Sequence, residues 1–152
     1  MSENLLRVQP IRNGTVIDHI SAGRGRKILD ILGLSDSGTT ISLLVNVQSK
    51  KLKRKDMIKV EDRELDENEI EKLSLLSPNA RVNIIRNYAV AEKKKVEIPS
   101  FILGIVHCSN ENCISNNERG ATTQFKLLDS ENLRIRCVYC GRKIIEDEIS
   151  FL

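Results

Sequence analysis

The stretch Cys108-Ser109-Asn110-Glu111-Asn112-Cys113, with Cys137-Val138-Tyr139-Cys140 following after a gap of twenty-three residues, decides how this chain is built. The chain has no other cysteine. A C-x4-C pair and a C-x2-C pair put two sulfurs on each of two short loops. That arrangement shares a tetrahedral zinc ion between the loops and leaves no position for a reacting water. The rival reading is two disulfides or four buried thiols. Met1-Ser2-Glu3-Asn4 lacks the charged start and apolar core of a secretory leader, which points to a reducing compartment and favours metal over disulfide. His107 abuts Cys108, but four thiolates already complete the tetrahedron, so its imidazole is assigned an orienting or surface role.

All four cysteines fall in the last third of the 152 residues. A piece of roughly fifty residues is small enough to need such a staple. The sequence therefore predicts two domains, residues 1–97 and 98–152. The composition, 40% hydrophobic and 30% charged, is that of a globular protein, and no apolar run reaches the length of a membrane span. Residues 1–97 carry 18 Lys and Arg against 14 Asp and Glu, whereas residues 98–152 carry 6 against 7. A zinc ion with four thiolates adds about two further negative charges to the C-terminal part. That part is poorly charged for gripping a phosphate backbone. With two tyrosines, three phenylalanines and no tryptophan, the chain also lacks stacking platforms for single strands. A zinc-ribbon nucleic-acid-binding protein is accordingly the alternative reading, not the leading one.

Upstream of the cysteines, Leu5–Ile11 and Thr15–Ile20 read as strands joined by Arg12-Asn13-Gly14, whose Asn-Gly suits a hairpin turn. Ser21 is placed to cap a helix over 22–33 with the stripe Ile28, Leu29, Ile31 and Leu32, ended by Gly33. The β-branched run Thr39–Val47 and the alternating segment Lys55–Glu61 predict two more strands. Asp66 and Glu69 form a capping-box signature, flanked by Leu65 and Ile70 as a staple, for a helix that stops before Pro78. Alternation then predicts one strand over Arg81–Ala91. The order βαββαβ gives an α+β fold, an N-terminal ferredoxin-like sandwich with two helices on one face of an antiparallel sheet. A small all-β zinc-binding domain follows, with strands at Phe101–Val106, Gln124–Leu128, Leu133–Arg136 and Lys143–Ile149.

Few constellations in the N-terminal part carry chemistry. Asp18-His19 is its one adjacent acid and imidazole, but neighbours on a strand face opposite ways, so the two meet only at a bulge or strand end. Lys55 and Lys59 share a strand face, and Lys93-Lys94-Lys95 leave the last strand nearby, a set of ammonium groups suited to phosphate oxygens. Gly23 and Gly25 flanking Arg24 hint faintly at a phosphate loop, although no Walker or dinucleotide-binding pattern is present.

Gly14–Ile20, Arg54–Glu61, Val82-Asn83 through Asn87-Tyr88, Cys108-x4-Cys113-Ile114-Ser115 and Cys137-x2-Cys140, all in register, resemble the regulatory chain of aspartate carbamoyltransferase nearly end to end. The resemblance implies a non-catalytic, cytoplasmic subunit of pyrimidine biosynthesis. It implies a nucleotide-effector-binding and regulatory-dimer domain over 1–97 and a zinc domain over 98–152 that docks on catalytic chains. The partners it implies are those catalytic chains and a second regulatory chain, in an assembly of six of each, with neither nucleic acid nor membrane. The effectors it implies are CTP and ATP, with UTP as a further candidate, beside one structural zinc ion on Cys108, Cys113, Cys137 and Cys140. The effector site carried over by resemblance comprises Val8, Ile11, Asp18, His19, Lys55, Lys59, Asn83, Tyr88, Val90 and Lys93. In it Asp18 and Lys59 address ribose and base, main-chain groups of Ile11 and Tyr88 the base edge, and His19 with Lys93 the phosphates. Lys55 lies at the far end. Leu5 and Gln9 depart from the lysine and glutamate of well-studied bacterial members, so effector preference does not carry over.

Overall fold

Gly14 begins the first strand because nothing larger fits there: its φ is +145°, and a Cβ would sit 2.0 Å from the carbonyl oxygen of Val60. The computed structural model describes residues 10–50 and 53–152, in two compact units, one ending at Val96 and one starting at Glu97. The strand predicted over Leu5–Ile11 lies mostly outside the described residues, as do Val8, Leu5 and Gln9. Ile11 is described, buried ahead of the first strand.

In the N-terminal unit, β1 (Gly14–Ser21), α1 (Gly25–Ile31), β2 (Ile41–Ser49), β3 (Lys53–Glu61), α2 (Glu67–Leu76), β4 (Arg81–Arg86) and β5 (Ala89–Lys94) follow in order. The strands form one antiparallel sheet in the order β2-β3-β1-β4-β5. Thr15, Ile17, Ile58, Val60, Val82 and Ile84 are buried on the face that meets Ile28 of α1 and Leu73 of α2. Two polar ties fix the helices to that face. Thr15 Oγ1 donates to Arg63 O (2.7 Å) and accepts from Leu65 N (3.3 Å) ahead of α2. The fully buried Asp56 carboxylate accepts from Gly23 N (3.1 Å) and Gly25 N (2.9 Å) at the start of α1, and from Asn46 N (2.8 Å) in β2. A buried carboxylate is tolerated because main-chain donors surround it.

These ties correct two expectations. The glycine amides near α1 are filled by the chain's own carboxylate, so they form no phosphate loop. Helix α1 also starts later than predicted: Gly23 takes φ +90°, and Ser21 contributes its carbonyl, accepting from Arg24 N at 3.0 Å, not a capping hydroxyl. A third correction falls at Asn87-Tyr88. The single strand expected over 81–91 is a hairpin, β4 turning into β5 with both residues at positive φ, 52° and 66°. Paired left-handed residues make the tight turn that matches strand twist.

The C-terminal unit comprises β6 (Phe101–Leu103), β7 (Val106–His107), the single helical turn α3 (Ile114–Asn117), β8 (Gln124–Asp129), β9 (Arg134–Cys137), β10 (Lys143–Ile145) and β11 (Ser150–Phe151). It is mostly β but not wholly so. The sheet order is β10-β9-β8-β6, with β11 paired to β7, around Ile102, Phe125, Ile135 and Ile144. The strand predicted over 101–106 is cut at Gly104, whose φ is +67°, and the one over 143–149 ends at Ile145 in a turn of 3-10 helix.

Candidate functional site

Residues opposite one another in an antiparallel pair point to the same face. The register therefore draws a row across the helix-free face of the N-terminal sheet: Ser42, Lys59, Val16, Asn83 and Lys93 are successive partners on β2, β3, β1, β4 and β5. One row towards the β4–β5 turn lie Glu61, Gly14, Ile85 and Val90. One row the other way, Asp18 stands opposite Arg81. The face thus grades from apolar at Ile85 and Val90 to cationic at Lys93 and Arg81.

Asp18 and His19 meet through a bulge. The β1–β3 pairing slips between Ile17 and Ile20, and His19 takes φ +57°. His19 N then donates to Asp18 Oδ1 (2.7 Å), and His19 Nδ1 lies 3.6 Å from Asp18 Oδ2. Asp18 Oδ1 also holds Lys55 Nζ at 2.8 Å, so Lys55 is engaged by the protein's own carboxylate. A cleft of about 400 Å³ is lined by Asp18, His19, Arg81, Val82, Asn83, Lys93, Lys94 and Lys95. It gathers four of the ten expected effector residues directly, and the register adds Lys59. Tyr88 and Val90 sit at the far end of the same face, where Tyr88 is 68% exposed and its N–H donates to Arg12 O at 2.9 Å. The Tyr88 amide is thereby occupied within the chain. Val16 and Arg81 are absent from the expected set. Alternation from Asn83 finds Arg81 two residues back on the same face, whereas Val16 emerges only from the register.

In the C-terminal unit the sulfurs of Cys108, Cys113, Cys137 and Cys140 all lie within 4.8 Å of one another. Cys108 to Cys140 and Cys113 to Cys137 are each 3.7 Å. A tetrahedron with metal–sulfur bonds of about 2.3 Å has edges of about 3.8 Å, so the cluster fits a four-thiolate zinc ion. Burial pushes the Cys108 thiol up to about 12, against the Asn110 amide, and raises Cys137 as well. Burial acts the same way on the more exposed Cys140, but hydrogen bonds from the Arg142 amide and the Asn110 side chain bring it down to about 7. Four thiolates at such spacing need a cation to neutralise them. Asparagines set the loop: Asn116 Nδ2 donates to Cys108 O (2.9 Å) and Asn110 O (2.7 Å), and Asn117 Nδ2 to Cys113 O (2.8 Å). Ser115 Oγ lies 3.1 Å from Cys113 Sγ.

Two family models match in tandem: the aspartate carbamoyltransferase regulatory chain, allosteric domain, over residues 6–97, and the metal binding domain of the same chain over residues 100–150. The chain belongs to the aspartate carbamoyltransferase regulatory chain family. The regulatory chain of Pyrococcus horikoshii is 52% identical over 146 residues, 95% of either chain. That of Methanothrix thermoacetophila is 46% identical over 153 residues, covering 100% of this chain and 99% of its own. The Metallosphaera sedula regulatory chain is 46% identical over 145 residues, 95% of this chain and 92% of its own. The metal-binding match contains all four cysteines, and the allosteric match contains the whole five-stranded sheet. The family is one of regulatory, non-catalytic chains, which sets aside the zinc-ribbon nucleic-acid-binding alternative.

Proposed function

We propose that the helix-free face of this regulatory chain binds nucleoside triphosphates, CTP, ATP and UTP, and conveys their binding to the catalytic chains of aspartate carbamoyltransferase. The observation that carries this reading is the row Lys59–Val16–Asn83–Lys93, continued by the cleft that holds Asp18 and His19. A base lies towards Ile85, Val90 and the Tyr88 carbonyl. The ribose falls at Lys59, Asp18 and Asn83, where carboxylate and amide accept from its hydroxyls. The phosphates reach His19 and Lys93. By resemblance the site also takes in Ile11, and Val8, which lies outside the described residues.

The metal in this reading is one structural zinc ion per chain, with Cys108, Cys113, Cys137 and Cys140 as its four ligands. When bound, it supplies the folding energy of a small domain, and the Asn116 and Asn117 amides orient the loop around it. Residues 98–152 dock on catalytic chains, and residues 1–97 pair with a second regulatory chain, in a cytoplasmic assembly of six of each. A nucleotide shifts such an assembly only by its differential affinity for two states, typically about 1–3 kcal/mol, and ligands of the catalytic chain alter nucleotide affinity reciprocally.

Calorimetric titration of the chain with CTP, ATP and UTP tests the site. One saturable site per chain that persists at moderate salt is expected. A binding signal that appears only with single-stranded nucleic acid, and falls steeply with salt, would return the reading to a backbone-binding protein.

A further inference from the structure

We propose that Arg81 counts the phosphates of the bound nucleotide and makes the site selective for triphosphates over monophosphates. The proposal rests on the nucleotide reading of this face. Arg81 lines the cleft beside Asp18, His19, Asn83 and Lys93, and it stands opposite Asp18 in the β1–β4 register. The cations around it are not equivalent. Lys55 is bound by Asp18 at 2.8 Å, and Lys94, opposite the buried Val82, starts from the other face of β5. Arg81 and Lys93 point to the helix-free face, and among the described residues neither forms an ion pair with a carboxylate.

These two cations are staggered along the ligand's axis. Lys93 is level with Asn83, and Arg81 is two residues further along β4, roughly 7 Å beyond it. The apolar end at Ile85 and Val90 lies on the opposite side of the Asn83 row. A nucleotide laid with its base on that end meets Lys93 with its first phosphate and Arg81 with its last. The chemistry follows the same order. A terminal phosphoryl group carries two negative charges and can accept both N–H groups of the guanidinium fork, whereas the ammonium of Lys93 acts as a point charge on any phosphate.

The test measures ATP, ADP and AMP affinities for the full chain and for Arg81→Ala, Arg81→Lys and Lys93→Ala by calorimetry. Wild type should bind ATP well above AMP. Arg81→Ala should weaken ATP by roughly tenfold to a hundredfold, as loss of a charge-assisted hydrogen bond does, and leave AMP within about twofold. Arg81→Lys should fall between the two, and Lys93→Ala should weaken all three nucleotides alike. Equal loss of ATP and AMP in Arg81→Ala, or no preference for ATP in wild type, overturns the assignment of Arg81 while leaving the nucleotide site in place. No binding of any of the three by wild type overturns the site itself and the assignment with it.

Discussion

Lys59 and Lys93 share one row of the open face, and neither forms an ion pair with a carboxylate among the described residues. Each is therefore available to an anionic ligand. Lys59→Ala or Lys93→Ala should cost about 1.5–3 kcal/mol of nucleotide binding, one to two powers of ten in affinity. Calorimetry checks this, and unchanged affinity in both variants would place the site elsewhere. Asp56 has the opposite character, a buried carboxylate accepting three amides of its own chain. Each donor orphaned in Asp56→Ala costs about 1–3 kcal/mol, so the urea midpoint of that variant should fall far more than that of the exposed Asp36→Ala. At the metal centre, binding an ion expels protons from thiols such as Cys108, which burial holds at about 12. Acid opposes that step. Zinc affinity, read by competition with a coloured chelator, should fall as pH falls, most steeply below about 7, where Cys140 of the metal-free site is protonated as well and one more proton must be displaced. Affinity independent of pH would exclude thiolate ligation.

At the scale of elements, what was legible in the sequence was local chemistry. The capping box is present on both sides: Glu69 N donates to Asp66 Oδ1 at 2.8 Å, and Asp66 N donates to Glu69 Oε1 at 3.1 Å. Its partners are three residues apart, so spacing alone announces it. Asp66→Ala should cost about 1 kcal/mol, read as a lower melting temperature of the N-terminal unit with nucleotide affinity unchanged. The break at Asn87-Tyr88 was hidden because the alternation of Val82, Ile84 and Val90 runs on either side of it, and tyrosine is an uncommon choice for a left-handed position. The His19 bulge was foreseen only as a condition for Asp18 and His19 to meet. One of the groups that secure it, the Lys55 ammonium on the Asp18 carboxylate that also accepts from the His19 amide, comes from a strand more than thirty residues away. Asp56 was not picked out for the same reason: its three donors lie on two other elements.

For the whole molecule, the cysteine cluster and the proposed effector face belong to separate units, so losses at the two should be separable. Structural zinc can supply about 10–16 kcal/mol at neutral pH, at or above the whole stability of an ordinary domain. Chelation should therefore erase amide protection across 97–152 and leave the N-terminal sheet protected in hydrogen exchange. Cys113→Ser should likewise keep nucleotide binding while abolishing association with catalytic chains. The four cysteines and their two loops were readable from spacing, but the asparagine scaffold behind them was not, since amide-to-carbonyl bonds leave no pattern in sequence. Whether this chain carries nucleotide binding to a catalytic partner is read from the aspartate saturation curve. Purified catalytic chains should be assayed alone and with this chain, in the presence and absence of CTP, ATP and UTP. Nucleotides should move the half-saturating aspartate concentration only when the chain is bound. A stable complex whose curve none of the three nucleotides moves would contradict that coupling.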